Sequence, residues 1–257
     1  MNIFKILNVS KYTFIEIYKS KIMINIISSG VLLAVLCYIV SEFSFGNPSK
    51  TALDIGLGLL SITTKILALF FGATLLKNEI ESRTIYLILS NPVSRVEFLI
   101  GKILGLAAIL ALNTAILSIF TTVFYYFWDG VWSNLILWSI IQLYLESIIV
   151  LLLVVCFSLF TNINLSIFYT IGLYLAGSSM SSVMETVFVK DSKTLGTVIY
   201  GLSLLIPNFS LFDIKSFVLY KQTVPIEYLI STFSYGICYS FLLIFIASII
   251  LVKKDLD

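Results

Sequence analysis

Residues 103–127 read ILGLAAILALNTAILSIFTTVFYYF, a run without one charged side chain. A membrane-crossing helix needs about 20 apolar residues, because each residue advances about 1.5 Å through a hydrocarbon layer about 30 Å thick. Five more stretches meet that requirement: Ile22–Val40, Ile55–Leu76, Leu135–Phe160, Leu165–Val183 and Tyr228–Val252. Four of the six carry no charge, while the second contains Lys65 and the fourth contains Gln142 and Glu146. The reading is an all-α polytopic membrane protein with six transmembrane helices in one transmembrane domain, residues 1–257. Thr194–Ile206 is apolar but too short to cross; it ends at Pro207-Asn208 and reads as a re-entrant or interfacial helix within an extracellular segment, 184–227.

Composition agrees. Of 257 residues, 59% are hydrophobic and only 12% charged, with a mean hydropathy of +1.05. Soluble domains are nearer half apolar and a quarter charged, so disorder, a collagen-like fibre and an ordinary cytosolic enzyme are excluded. Sixteen basic and fourteen acidic groups are scattered along the chain, which leaves no field to collect nucleic acid. There is no histidine, the usual acid/base at neutral pH and a common metal ligand. Cys37, Cys156 and Cys238 each sit in an apolar run with no CxxC, so neither a disulfide framework nor a metal site is readable. No catalytic residues and no cofactor bound by this chain are expected.

Orientation follows the basic residues. Ten of them flank the N-terminus, the second loop and the C-terminus, against five on the other side (Lys50, Lys190, Lys193, Lys215 and Lys221). Both termini are therefore expected in the cytoplasm, in the plasma membrane. The bias of fourteen lysines over two arginines points to an AT-rich, bacterial genome. Residues 1–21 form an amphipathic pattern: Ile3, Ile6, Leu7, Phe14 and Ile17 share one helical face, and Lys5, Asn8, Tyr12, Glu16 and Lys19 the other. That pattern predicts a helix lying in the membrane interface. The first apolar run starts only at Ile22 and no A-x-A-like site follows it, so the first span is expected to remain as an anchor.

Segment 78–98 is too polar at its start for lipid and too apolar at Ile85–Leu89 for a free loop. Glu79 and Arg83 stand four apart, a helix-supporting pair worth about 0.3–0.5 kcal/mol. An amphipathic cytoplasmic helix fits, broken at Asn91-Pro92. Ser94 followed by Glu97 is a capping box, and Val93 with Phe98 makes a hydrophobic staple. A new helix is thus predicted to start at Ser94 and run into the third span. The elbow is either a device that passes force from a soluble partner into the spans or a well-capped connector.

These residues resemble a family. Glu79, Glu81, Ser82, Thr84, Leu87, Leu89, Ser90, Pro92, Val93, Ser94 and Arg95, then Gly101 and Lys102, are similar to the loop of type-2 ABC transporter permeases, nearest to the six-helix NosY-like branch. The chain departs at Arg83, where the family usually has glycine. Weaker likeness extends to Ile206-Pro207-Asn208, Phe212 and the Lys253-Lys254-Asp255-Leu256 tail. The resemblance implies the membrane half of an ATP-driven exporter, paired with a second permease copy. A separate ABC ATPase carrying ATP and Mg²⁺ would dock on the 78–98 coupling helix. It implies ATPase-coupling roles for Glu79, Glu81, Arg83, Thr84, Leu87, Pro92, Ser94, Arg95 and Glu97. The chain has no G-x-x-x-x-G-K-[ST] loop of its own with which to hold ATP.

Lys65 and Glu146 are the main intramembrane charges, each costing about 2.5–3.5 kcal/mol at a helix centre. Counting from the cytoplasmic ends places them about 18 and 22 Å deep, so they are expected to pair across spans two and four. Gly101 and Gly105, continued by Ala108, form a stripe of small residues for close helix packing, within the subunit or between subunits. The fifth span is the most polar, and Tyr169, Thr170 and Tyr174 are expected to face a transport path. Trp128, Trp132 and Trp138 read as an aromatic belt. The alternative function is a stand-alone ion-coupled transporter or channel using Lys65 and Glu146; an intramembrane enzyme lacks its usual residues.

Overall fold

The computed structural model describes residues 3–19, 22–42, 47–75, 94–186, 206–220 and 222–253, with single positions between 186 and 206. Backbone is described throughout Ile22–Glu42, its side chains only in part. Eight α-helices follow in order among these residues: α1 Ile3–Lys19, α2 Ile22–Glu42, α3 Pro48–Thr74, α4 Arg95–Phe127, α5 Asn134–Ser158, α6 Ile163–Glu185, α7 Lys215–Leu219 and α8 Ile226–Lys253. A 3₁₀ turn, Phe209–Phe212, precedes α7. Five helices, α3 to α6 and α8, are long and apolar enough to cross a membrane, and the protein is a multi-pass membrane protein. The stretch expected as the first span, Ile22–Val40, falls within the 21-residue helix α2, Ile22–Glu42, which is not one of these five. Most of Thr194–Ile206 lies outside the described residues, as do residues 76–93 of the second loop.

The ends of these helices follow local chemistry. Helix α3 starts seven residues before the predicted Ile55, because Pro48 at its first turn lacks an N–H that would go unpaired there anyway. Ser94 and Glu97 form the capping box: Glu97 N–H donates to Ser94 Oγ at 3.2 Å and Ser94 N–H to Glu97 Oε2 at 3.1 Å. Helix α4 stops in a Schellman turn. Asp129 sits at φ 56°, its N–H donates to Tyr126 O, and Gly130 N–H donates to Tyr125 O. Ser133 then accepts from Leu135 N–H to start α5.

Helix α5 is the axis of the bundle. Of its most apolar window 72% is buried, against 17–44% for the other four spans. It packs against α3, α6 and α8. Lipid tails are as apolar as leucine, so association rests on close packing and interhelical hydrogen bonds rather than on expulsion of water. Asn113 donates to Thr64 Oγ1 at 3.0 Å between α4 and α3. Gln142 donates to Thr232 Oγ1 at 2.6 Å between α5 and α8, and Tyr144 to Ala107 O at 3.0 Å between α5 and α4. Each such bond contributes on the order of 0.6–2 kcal/mol.

Helix α1 lies along the first half of α4. Ile6 and Thr13 are buried, and Val9 and Ile17 pack on the core beside them, a spacing of three, four and four that makes one stripe. Ile3 and Leu7, expected on the same apolar face as Ile6, are instead exposed with Phe4 and Tyr12. The stripe that fits α4 runs through Ile6 and Thr13, and Ile3, Phe4 and Leu7 fall on its flank.

Candidate functional site

Lys65 on α3, Glu146 on α5 and Tyr174 on α6 converge at one level of the bundle. Lys65 Nζ is 2.8 Å from Glu146 Oε1 and donates to the Tyr174 hydroxyl at 2.7 Å. Tyr174 in turn donates to Glu146 Oε1 at 3.1 Å. The ammonium also lies 4.7 Å from the Tyr174 ring centroid, within cation–π range. The side chains are 16% and 6% exposed for Lys65 and Glu146. Such a buried pair is weak evidence of added stability, since desolvation offsets much of its attraction. Its firmer consequence is geometric, because three spans share one set of polar contacts.

The triad forms the floor of a cavity of about 490 Å³ enclosed by α3, α5, α6 and the Phe209–Lys215 segment. Hydroxyls of Ser61, Ser139, Ser178, Ser182 and Ser210 line it, with Asp213 and Lys215 at the rim. Lys215 is held by Asp54 of α3 at 2.6 Å. Phe209, Ser210 and Phe212 of the 3₁₀ turn form another part of its wall. Asn208 Oδ1 accepts from Ser210 N–H, and the Asn208 N–H donates to the Tyr235 hydroxyl of α8 at 3.0 Å. Ser181 and Ser210 share a short hydrogen bond. Phe209 and Phe212 are each 1% exposed, Phe209 lying 4.9 Å from Tyr174 between ring centroids. Gly177 lets this segment sit directly on α6, because any Cβ there would collide with Pro207 O.

A second constellation sits where α4 begins. Arg95 Nη1 donates to Leu251 O at 3.3 Å and to Val252 O at 3.4 Å, at the end of α8. Lys102 Nζ is 3.6 Å from Glu16 Oε2 of α1. A Cβ on Gly101 would lie 2.7 Å from Val9 Cβ, and one on Gly105 2.7 Å from Thr13 Cβ. The two glycines therefore seat α1, while Ala108 is exposed. The start of α4 is tied at once to the first and the last helix.

Of the remaining candidate residues, Glu79, Glu81, Arg83, Thr84, Leu87 and Pro92 lie outside the described residues. Tyr169 is 46% exposed and does not line the cavity. Thr170 is buried with its hydroxyl donated to Ser166 O within α6. Sequence reading places Tyr174 on a path without making it the bridge between the two charges. The signal was depth: Tyr174 is 11 residues into α6 from Ile163, and Glu146 is 12 residues from the end of α5 at Ser158. The tie from Arg95 to α8 joins residues 156 apart and has no local signal. Among the described residues no group of three or more metal-ligating side chains occurs.

No curated protein matches the chain closely enough to count as a relative. A family model described as ABC-2 family transporter protein matches residues 6–252, which takes in every span, the triad and the capped start of α4. The chain belongs to the ABC-2 family of transporter proteins.

Proposed function

We propose that the chain is the membrane-spanning permease subunit of an ATP-driven ABC exporter of the six-helix, NosY-like kind. Helix α2 serves as the sixth span, and both termini lie in the cytoplasm. Two copies form the translocation path, and a separate ABC ATPase, holding ATP and Mg²⁺, docks on segment 78–98. The observation that carries this reading is the anchorage of α4. Its capping box fixes where the helix restarts after the coupling segment, and Arg95, Gly101 and Gly105 tie that point to α8 and α1. A push delivered at the restart is shared by three helices instead of bending one. ATP closes the ATPases together, and the anchored elbow transmits that movement into the spans.

The test is purification of the tagged chain from its native membrane in mild detergent, with identification of what accompanies it and an ATPase assay. Arg95→Glu and Glu79→Arg are run alongside. The expected result is a co-purifying nucleotide-binding subunit that is lost or uncoupled in the loop variants. A chain that comes alone, without ATPase activity and with intact ion-gradient-driven flux, overturns the reading. That outcome moves the weight to a second reading, favoured by the Lys65–Tyr174–Glu146 triad at the cavity floor: a stand-alone ion-coupled transporter.

A further inference from the structure

We propose that α7 is a releasable latch on α3, and that its release opens the triad's cavity at the end of the bundle where α3 begins while the 3₁₀ turn stays in place. Lys50, Leu53, Asp54 and Leu57 share one face of α3 by their helical spacing. Helix α7 and its cap residue Tyr220 meet that face through three side chains. Lys215 Nζ lies 2.6 Å from Asp54 Oδ1. The Tyr220 ring lies 3.7 Å from Lys50 Nζ. Val218 is buried in the cluster that holds Leu53 and Leu57.

The two ends of this segment are held unequally. Tyr228 of α8 donates to Leu211 O at 3.2 Å, which closes the base of a loop that reaches across to α3 and returns to α8. At that base Phe209, Phe212 and Ile214 are buried, and a Cβ on Gly236 of α8 would lie 3.0 Å from the Phe212 ring. At the far end Val218 is the buried side chain of α7, and both partners of its ion pair are partly exposed. An ion pair and a cation–π contact open to water are each weak. A helix of five residues does not persist once detached. The loop therefore lets go at α7 before it lets go at its base. Lys215 lines the triad's cavity, whereas Val218, Leu219 and Tyr220 line a second cavity of about 300 Å³ with Lys50 and Leu53. Release of α7 joins the two and brings Leu57, 0% exposed on the wall of the first, into contact with water. The purpose of the latch, an exit at that end, rests on the exporter reading. The latch itself rests on contacts within one chain, and its test needs neither ATPase nor substrate.

Hydrogen exchange is followed on the full chain in nanodiscs for the native sequence, Asp54→Asn, Tyr220→Leu and the double variant. The Val218 N–H, which donates to Ile214 O, reports release of α7. Each single substitution is expected to speed its exchange about threefold, and the double about tenfold. The amides of Ser210 and Asp213, bonded within the 3₁₀ turn and its cap, are expected to exchange as before. With the native cysteines replaced, Leu57→Cys is expected to react with a water-soluble maleimide about tenfold faster in the double variant, in step with Val218. Equal acceleration at Val218 and Ser210 would show that the whole segment moves as one and would overturn the latch. So would unchanged exchange at Val218 in the double variant, or Leu57→Cys reactivity that does not rise with it.

Discussion

Arg95 Nη1 reaches the carbonyl oxygen of Leu251 at 3.3 Å, so the first residue of α4 closes the last turn of α8. The terminal carbonyls of a helix have no partner within it, and the helix dipole favours a cation there. Arg95 satisfies both conditions from another helix. Replacing it with Gln removes the charge and is expected to cost about 1 kcal/mol. Thermal unfolding of the purified protein in detergent should show a modest loss of stability. Hydrogen exchange should show the larger effect at Leu251 and Val252, with the middle of α8 unchanged.

Lys65→Met leaves Glu146 as a buried charge with the Tyr174 hydroxyl as its remaining partner among the described residues. Breaking one side of a buried pair costs about 3–5 kcal/mol, whereas removing both sides with groups of similar volume is often neutral. The single variant is expected to lose most of its monodisperse yield and the Lys65→Met/Glu146→Met double to recover it. Lys65→Glu with Glu146→Lys is expected to recover part of it. A double variant as poor as either single one would show that the two residues are not coupled.

Tyr174→Phe keeps the ion pair and removes only the bridging hydroxyl. The expected loss is about 1 kcal/mol, well below that of either charge. Unfolding curves for the three variants, measured in one detergent, give the ranking directly.

Thr13 is 2% exposed beneath Gly105. Gly105→Val places a branched side chain where the backbone of α1 now runs and is expected to lift α1 from α4. In a background with the native cysteines replaced, Thr13→Cys should then react readily with a maleimide, having been protected when Gly105 is present. Protection that persists in Gly105→Val would mean that α1 is held elsewhere.

Ser94→Ala removes one half of the capping box and is expected to cost about 1 kcal/mol. The accompanying signature is faster hydrogen exchange at Glu97, whose N–H loses its acceptor.

The depth of legible information differs from residue to residue. Lys65 and Glu146 stand out because a charge in an apolar run is conspicuous, and counting from helix ends brings them to one level. The capping box is local chemistry within four residues and is readable directly. The true start of α3 is harder. Lys50 and Asp54 resemble loop charges, yet both ride on the helix, where Lys50 lies 3.7 Å over the Tyr220 ring and Asp54 holds Lys215. Gly101 and Gly105 announce a close approach, but a small-residue stripe says how near a partner comes and not which partner it is. Phe209 and Phe212 show the same limit. Nothing in FSLF foretells that both rings are buried beneath α6 and α8, since that burial depends on Gly177 and Gly236 on other helices.

The seating of α1 on Gly101 and Gly105 also fixes an order of events during synthesis. The cover emerges from the ribosome before its seat does, with two more helices made in between. Until Gly105 is translated, the Val9–Thr13 face has nothing to rest on, and the membrane surface is the natural holding place for so amphipathic a segment. The glycine face of α4, by contrast, is never born bare. Fragments that end after Phe127 retain the clamp, whereas fragments that start after Lys19 leave two uncovered glycines to find other company in the bilayer.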